Sequence, residues 1–227
     1  MSYFFDGSNS SLLGQFNTAL QQPVSIGIWF RILAHPLQAD CMLQLNNDQV
    51  DSEDIVIIRT DATADTYQGR ADALNLAACN IVRAAVGAWT PAIWISTNTA
   101  GGKFFLADQV NTSGINVICA PMAFIGVGET THLTQDFSGW LAEPAVWDRV
   151  LTDEEAALYL AGNRAAVIAE ANLRGYWPMD EDSPTHANLG LDTGGLLTVT
   201  GATFDADHPP ILGPPVVTEP LMGQIMM

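Results

Sequence analysis

Between Val24 and Ile32 the chain alternates without a break: Val24, Ile26, Ile28, Phe30 and Ile32 fall on one face, and Ser25, Gly27, Trp29 and Arg31 on the other. A period of two predicts a strand with one face in a core. Further β-rich runs are expected at 42–45, 54–60, 80–86, 92–96, 103–107, 124–127, 140–147 and 196–204. Turn clusters separate them, among them Asn46-Asn47-Asp48, Asn98-Thr99-Ala100-Gly101-Gly102, Asn111-Thr112-Ser113-Gly114 and Asp192-Thr193-Gly194-Gly195. Many short strands between Gly/Asn turns predict an all-β fold, a two-sheet antiparallel jelly-roll sandwich.

One short helix interrupts the pattern. Thr152 is a good N-cap, Glu155 stands three residues later as its capping-box partner, and Asp153 and Glu154 suit the positive end of the helix dipole. Gly162 lies where a C′ glycine would end the helix, and 163–171 is expected to hold a second helical piece. The sandwich domain is expected over 1–207. Beyond it, His208-Pro209-Pro210-Ile211-Leu212-Gly213-Pro214-Pro215 cannot join a central strand, because its prolines remove ladder donors. Residues 208–227, which end apolar with Met222, Met226 and Met227, read as an extended C-terminal arm packed on its own domain or, preferably, on a neighbouring subunit.

Composition narrows the partners. A length of 227 residues is ample for one large core. Charged residues make up 15% of the chain and the mean hydropathy is +0.16. So little polar cover predicts apolar surface buried between subunits of a homo-oligomer. Twenty-five acidic against 8 basic residues give a net charge of −17, and Lys103 is the one lysine. Such a surface repels nucleic acid and lacks a polybasic membrane anchor. No apolar run approaches the roughly 20 residues that span a bilayer. The opening Met1-Ser2-Tyr3-Phe4-Phe5-Asp6-Gly7 carries no export signal. Cys41, Cys79 and Cys119 form neither a metal motif nor an even disulfide framework, and are expected to be buried free thiols.

The order of several motifs is informative. Phe5-Asp6-Gly7-Ser8-Asn9 comes first, then Ile28-Trp29-Phe30, Trp89-Thr90-Pro91-Ala92-Ile93-Trp94-Ile95 and Gly101-Gly102-Lys103-Phe104-Phe105-Leu106-Ala107-Asp108. Phe124-Ile125-Gly126-Val127-Gly128, Phe137-Ser138-Gly139-Trp140-Leu141-Ala142-Glu143-Pro144-Ala145-Val146-Trp147 and Leu151-Thr152-Asp153-Glu154-Glu155 follow, and Leu173-Arg174-Gly175-Tyr176-Trp177-Pro178-Met179 leads on to His208-Pro209-Pro210. From about Phe4 to Pro210 this succession resembles the laminin-G-like, concanavalin A-like jelly-roll family, in a subgroup common in bacterial and bacteriophage proteins. The resemblance implies two antiparallel sheets, one of them concave, with ligand-binding loops at an edge. The chain departs from the glucanases of that superfamily, because it has no strand of alternating Glu-x-Asp-x-(x)-Glu carboxylates.

Candidate chemistry is correspondingly sparse. A retaining glycosidase needs two carboxyls about 5–5.5 Å apart. Asp51-Ser52-Glu53-Asp54 lies in a polar stretch and reads as a solvated loop, and Glu143, followed by Pro144, has no partner in its strand. Calcium favours loop carboxylates, and three acidic clusters offer them: Asp48, Asp51, Glu53 and Asp54; Asp180, Glu181 and Asp182; Asp205 with Asp207. None has EF-hand spacing, and a surface charge run is the favoured reading of each. His35, His132, His186 and His208 are scattered without zinc spacing. There is no nucleophile elbow and no phosphate loop. Six tryptophans could stack on sugars. Trp94 and Trp147 lie in apolar strands and read as core. Trp29 shares a face with Ser25 and Arg31 and is the candidate ligand-binding residue, with packing against a strand or subunit as the favoured alternative. No catalytic residue, metal ligand or cofactor is assigned, calcium remaining open.

These readings lead to a non-enzymatic structural protein of a virion surface, a phage decoration, head or fibre-associated jelly roll made in the host cytoplasm. Its expected partners are other copies and other virion proteins. The alternative is a carbohydrate-binding module, calcium-dependent or not, for cell-surface glycans.

Overall fold

The computed structural model describes residues 1–8, 10–34, 40–47, 55–61, 66–72, 76–82, 86–98, 101–115, 117–128, 137–192 and 194–212. In chain order the strands are β1 (Ser2–Asp6), β2 (Ser11–Leu20), β3 (Val24–Ile32), β4 (Cys41–Asn46), β5 (Ile55–Asp61), β6 (Thr66–Asp72), β7 (Leu76–Val82) and β8 (Thr90–Ser96). They continue with β9 (Gly102–Leu106), β10 (Gln109–Ser113), β11 (Met122–Val127), β12 (Ser138–Trp147), β13 (Leu173–Tyr176), β14 (Thr185–His186), β15 (Leu197–Thr200) and β16 (Thr203–Asp205). The helix α1 (Asp153–Leu160) lies between β12 and β13. The first sheet runs β10-β9-β8-β3-β12-β1-β16, with β13 also on β12, and the second runs β14-β15-β2-β11-β4-β5-β6-β7. All pairings between these strands are antiparallel, and the fold is a two-sheet jelly-roll sandwich.

The inner faces meet in one core. Val24, Ile26, Ile28, Phe30 and Ile32 of β3 face Leu43 and Leu45 of β4, Val56 and Ile58 of β5 and Ile125 and Val127 of β11. The other face of β3 is also buried from Ser25 to Trp29, while Arg31 stays half-buried. There α1 and two 3₁₀ turns, Ala165–Val167 and Glu170–Asn172, cover the first sheet through Trp147, Leu151, Ala156, Tyr159, Ile168 and Tyr176. Small residues make this possible: a Cβ on Gly27 would sit 3.1 Å from the Tyr159 ring. Ser25 is used as a clamp, its hydroxyl donating to the Arg149 carbonyl at 2.7 Å and accepting from the Leu151 amide at 3.1 Å. The capping box forms as expected, with Thr152 Oγ1 accepting from the Glu155 amide and the Glu155 carboxylate from the Thr152 amide.

Several expectations are corrected. The helical piece expected at 163–171 is present as two 3₁₀ turns, Ala165–Val167 and Glu170–Asn172. The run 196–204 is two strands, parted at Gly201, whose φ of +69° turns the chain. The cluster Asn111-Thr112-Ser113 belongs to β10, which pairs with β9 across Ala107-Asp108. Of the run at 80–86, residues 80–82 end β7 (Leu76–Val82), and 83–85 lie outside the described residues. The start of the C-terminal arm packs on its own domain, where the Leu212 amide donates to the Gly162 carbonyl at 2.7 Å and Ile211 joins the outer cluster. Residues 213–227 lie outside the described residues. Cys41, Cys79 and Cys119 are buried and outside any disulfide. Among the described residues no helix is long and apolar enough to cross a membrane.

Candidate functional site

Where α1 ends its cover, the outer face of the first sheet opens. Register brings Thr203 of β16, Phe4 of β1, Trp140 of β12 and Arg31 of β3 into one cross-strand row. Trp89, just before β8, continues it, because its neighbour Thr90 pairs with Phe30. These strands lie side by side because their alternate residues, Tyr3, Phe5, Leu141, Phe30 and Ile32, are fixed in the core. The outward residues are therefore held on a rigid sheet.

Arg31 is the centre of the row. Its guanidinium carbon lies 3.8 Å from the centroid of the Trp140 ring and 5.9 Å from that of Trp89, within cation–π range. The Phe4 ring meets Trp140 at 4.9 Å with a 51° tilt. Arg31 also pairs with the Asp207 carboxylate. The Trp140 indole donates to Asp205 Oδ2 at 2.8 Å, and the Asp207 amide to Asp205 Oδ1 at 2.9 Å. The Asp207 amide, the Trp140 indole and the positive charge of Arg31 together hold Asp205 below the usual carboxylate range, so it is ionised. Phe4, Arg31, Trp89, Trp140, Asp205 and Asp207 are all half-buried. The result is a platform of three aromatic rings, one guanidinium and two carboxylates. Aromatic rings pack against the C–H face of a sugar, while carboxylates and guanidinium groups exchange hydrogen bonds with hydroxyls.

Trp29 lies on the same face of β3 as Arg31, two residues along, yet it is only 3% exposed. It packs in the outer cluster with Ile93 and Ala142. Its ring presents no open face for a sugar, which corrects its candidacy; Trp140 and Trp89 occupy the half-open positions instead. Trp94 and Trp147 are fully buried, as expected of core residues.

Glu143 is the other departure. Ala142 pairs with Trp29 and Ala145 with Gly27, so Glu143 and Pro144 form a bulge, with Glu143 at a φ of +55°. Its carbonyl accepts from the Tyr159 hydroxyl at 2.6 Å, and its carboxylate from the Tyr176 hydroxyl. Arg164 lies 3.5 Å from the carboxylate and reaches Asp180 at 2.8 Å. Burial outweighs Arg164 and Tyr176 and pushes the Glu143 carboxyl up to about 7. Burial and the neighbouring charge also hold the Tyr176 hydroxyl well above its usual range. At 1% exposure Glu143 is closed to substrate, so the network braces the bulge beneath α1.

Asp180 is taken by Arg164, and Asp205 and Asp207 belong to the platform. His186 is buried, with Nε2 2.8 Å from the Tyr3 hydroxyl, and His208 contacts the Pro209 carbonyl. Asp48, Asp51, Glu53, Asp54, His35 and His132 lie outside the described residues. Among the described residues no three of His, Cys, Asp and Glu are grouped to hold a metal ion. A cavity of about 230 Å³ beside Thr112 and Ser113 is bridged by the Lys103–Asp153 ion pair and is smaller than most ligand pockets. On the second sheet the outward amides of Gln44 and Asn46 are 1% and 2% exposed, so they are closed to solvent.

Comparison with solved structures places this architecture. A candidate carbohydrate binding protein from Bacteroides ovatus superposes with a TM-score of 0.62 at 13% identity, over 89% of this chain and 58% of the other. The likeness is one of fold, a two-sheet antiparallel jelly roll. A heptameric SAP-like pentraxin from Limulus polyphemus gives a TM-score of 0.59 at 12% identity, over 88% of this chain and 95% of that one. Tailspike protein 2 of Escherichia coli O157:H7 bacteriophage CAB120 gives 0.54 at 9% identity, over 74% of this chain and 25% of the tailspike. The chain spans 58% of the length of the Bacteroides ovatus protein. No protein-family model matches the sequence, and no curated protein matches it.

Proposed function

We propose that this jelly roll is a non-catalytic glycan-binding protein and that the Arg31–Trp140 platform is its binding surface. The observation that carries the reading is the cross-strand row of Phe4, Trp140 and Arg31, flanked by Trp89 and by the carboxylates of Asp205 and Asp207. It combines apolar rings and hydroxyl-binding groups on a preformed sheet, the composition sugar recognition requires. Likeness to a candidate carbohydrate binding protein supports the same reading. A non-catalytic role is favoured because Glu143, the carboxyl suited by its raised pKa to act as a general acid, is sealed in the fold.

The setting we propose is a virion surface, where copies of the chain and other virion proteins cover apolar surface and the platform faces the host's glycans. The low charged fraction and the likeness to a phage tailspike support this setting. A glycan array probed with the wild type and with Trp140→Ala, each with and without chelator, tests binding. Signal on defined sugars that falls at least tenfold in the variant is expected; equal signal from both proteins overturns the site. Mass spectrometry of purified particles tests the setting, with stoichiometric copies expected and absence rejecting it.

A further inference from the structure

Among the described residues Arg31 is tied to Asp207, Lys103 to Asp153, Arg149 to Glu155, Arg164 to Glu143 and Asp180, and Arg174 to Asp148 and Asp192. On the platform itself, one guanidinium stands against the carboxylates of Asp205 and Asp207, a balance of one minus two, or −1. Asp6 extends the acidic side. It lies on the same face of β1 as Phe4 and opposite Ser138, which shares the face of Trp140. Its carboxylate accepts from the Ser8 amide at 2.9 Å and the Ser10 hydroxyl at 2.9 Å. Behind this lies a net charge of −17 for the whole chain, which repels anions over a distance of about 8 Å at physiological salt.

We infer that the platform selects uncharged sugars, neutral hexose, pentose or N-acetylhexosamine oligosaccharides, and rejects sialylated, uronic and sulfated glycans. The inference rests on the glycan-binding reading and specifies its ligand. A neutral pyranose brings only hydroxyl donors and acceptors and a C–H face. Asp205 and Asp207 accept from hydroxyls, Arg31 donates to them, and the rings of Phe4, Trp140 and Trp89 take the apolar face. An anionic sugar would have to displace Asp207 from Arg31 and leave that carboxylate unpaired beside Asp205, an exchange of one ion pair for another with added repulsion.

The test is an array carrying neutral oligosaccharides and their sialylated, uronic and sulfated counterparts, followed by calorimetry on the best matched pair at 50 and 500 mM NaCl. At least tenfold preference for the neutral member is expected, with its affinity changing less than twofold between the two salt concentrations. Equal or tighter binding of the anionic member overturns the inference and leaves the glycan reading standing. A protein that binds no sugar of either kind overturns both. Asp207→Asn supplies an independent arm: releasing Arg31 is expected to narrow the neutral preference, and an unchanged preference means the ion pair does not set it.

Discussion

Replacing Glu143 with glutamine probes the network that braces the β12 bulge. The Glu143 carboxyl titrates near 7 in the folded chain against an ordinary 4.5. A carboxyl whose folded pKa is the higher one binds its proton more readily in the folded state. Falling pH therefore favours folding through this group: the penalty for burying the charge is fully present above about 7 and gone below about 4.5. At about 1.4 kcal/mol per pH unit, that penalty is about 3 kcal/mol. For a chain of this length it corresponds to roughly 6–12 °C in melting temperature. Urea unfolding followed by tryptophan fluorescence between pH 5 and 8.5 measures it. The wild type is expected to lose stability relative to E143Q as pH rises, the two lying within about 1 kcal/mol of each other at pH 5. A gap between the two proteins that stays constant from pH 5 to 8.5 would refute the buried-carboxylate account. Asp192 and His186, whose folded pKa values are lowered, act in the opposite direction at lower pH and are common to both proteins.

Three further outcomes follow from packing. A Cβ on Gly102 would lie 1.8 Å from the Trp94 ring, so Gly102→Ala is expected to cost about 2–3 kcal/mol through overpacking, read as a lower urea midpoint. Thr152→Ala removes the side-chain half of the capping box and should cost about 1 kcal/mol by the same measurement. All three cysteines are buried, and burial pushes the Cys79 thiol up to about 11. Native protein is thus expected to react with a thiol reagent far more slowly than urea-unfolded protein, and rapid native labelling would contradict the packing of β7 against β9.

What the sequence made legible depended on local regularity. The inward face of β3 could be read because its five apolar residues alternate cleanly. The burial of its other face could not, because Ser25, Gly27 and Trp29 signal solvent until α1 and its 3₁₀ turns are laid across them. β2 escaped notice because its buried apolar residues Leu12, Phe16 and Leu20 recur every fourth residue, a spacing closer to a helix than to a strand. The hairpin between β9 and β10 turns on Ala107-Asp108, with Ala107 at a φ of +50°, and lacks the Asn-Gly signal such turns usually carry. The bulge at Glu143 had a visible marker in Pro144, which a continuous central strand does not accommodate. The platform had none: Phe4, Arg31, Trp140 and Asp205 lie far apart in the chain and meet only through strand order and register.

The most direct measurement of the central claim is an NMR titration of the tryptophan indoles with a neutral oligosaccharide selected on the array. Their signals are assigned from single Trp→Phe variants. The account predicts that the Trp140 and Trp89 resonances shift in a saturable way while those of the buried Trp94, Trp147 and Trp177 stay in place. Saturable binding that leaves Trp140 and Trp89 unmoved would contradict it.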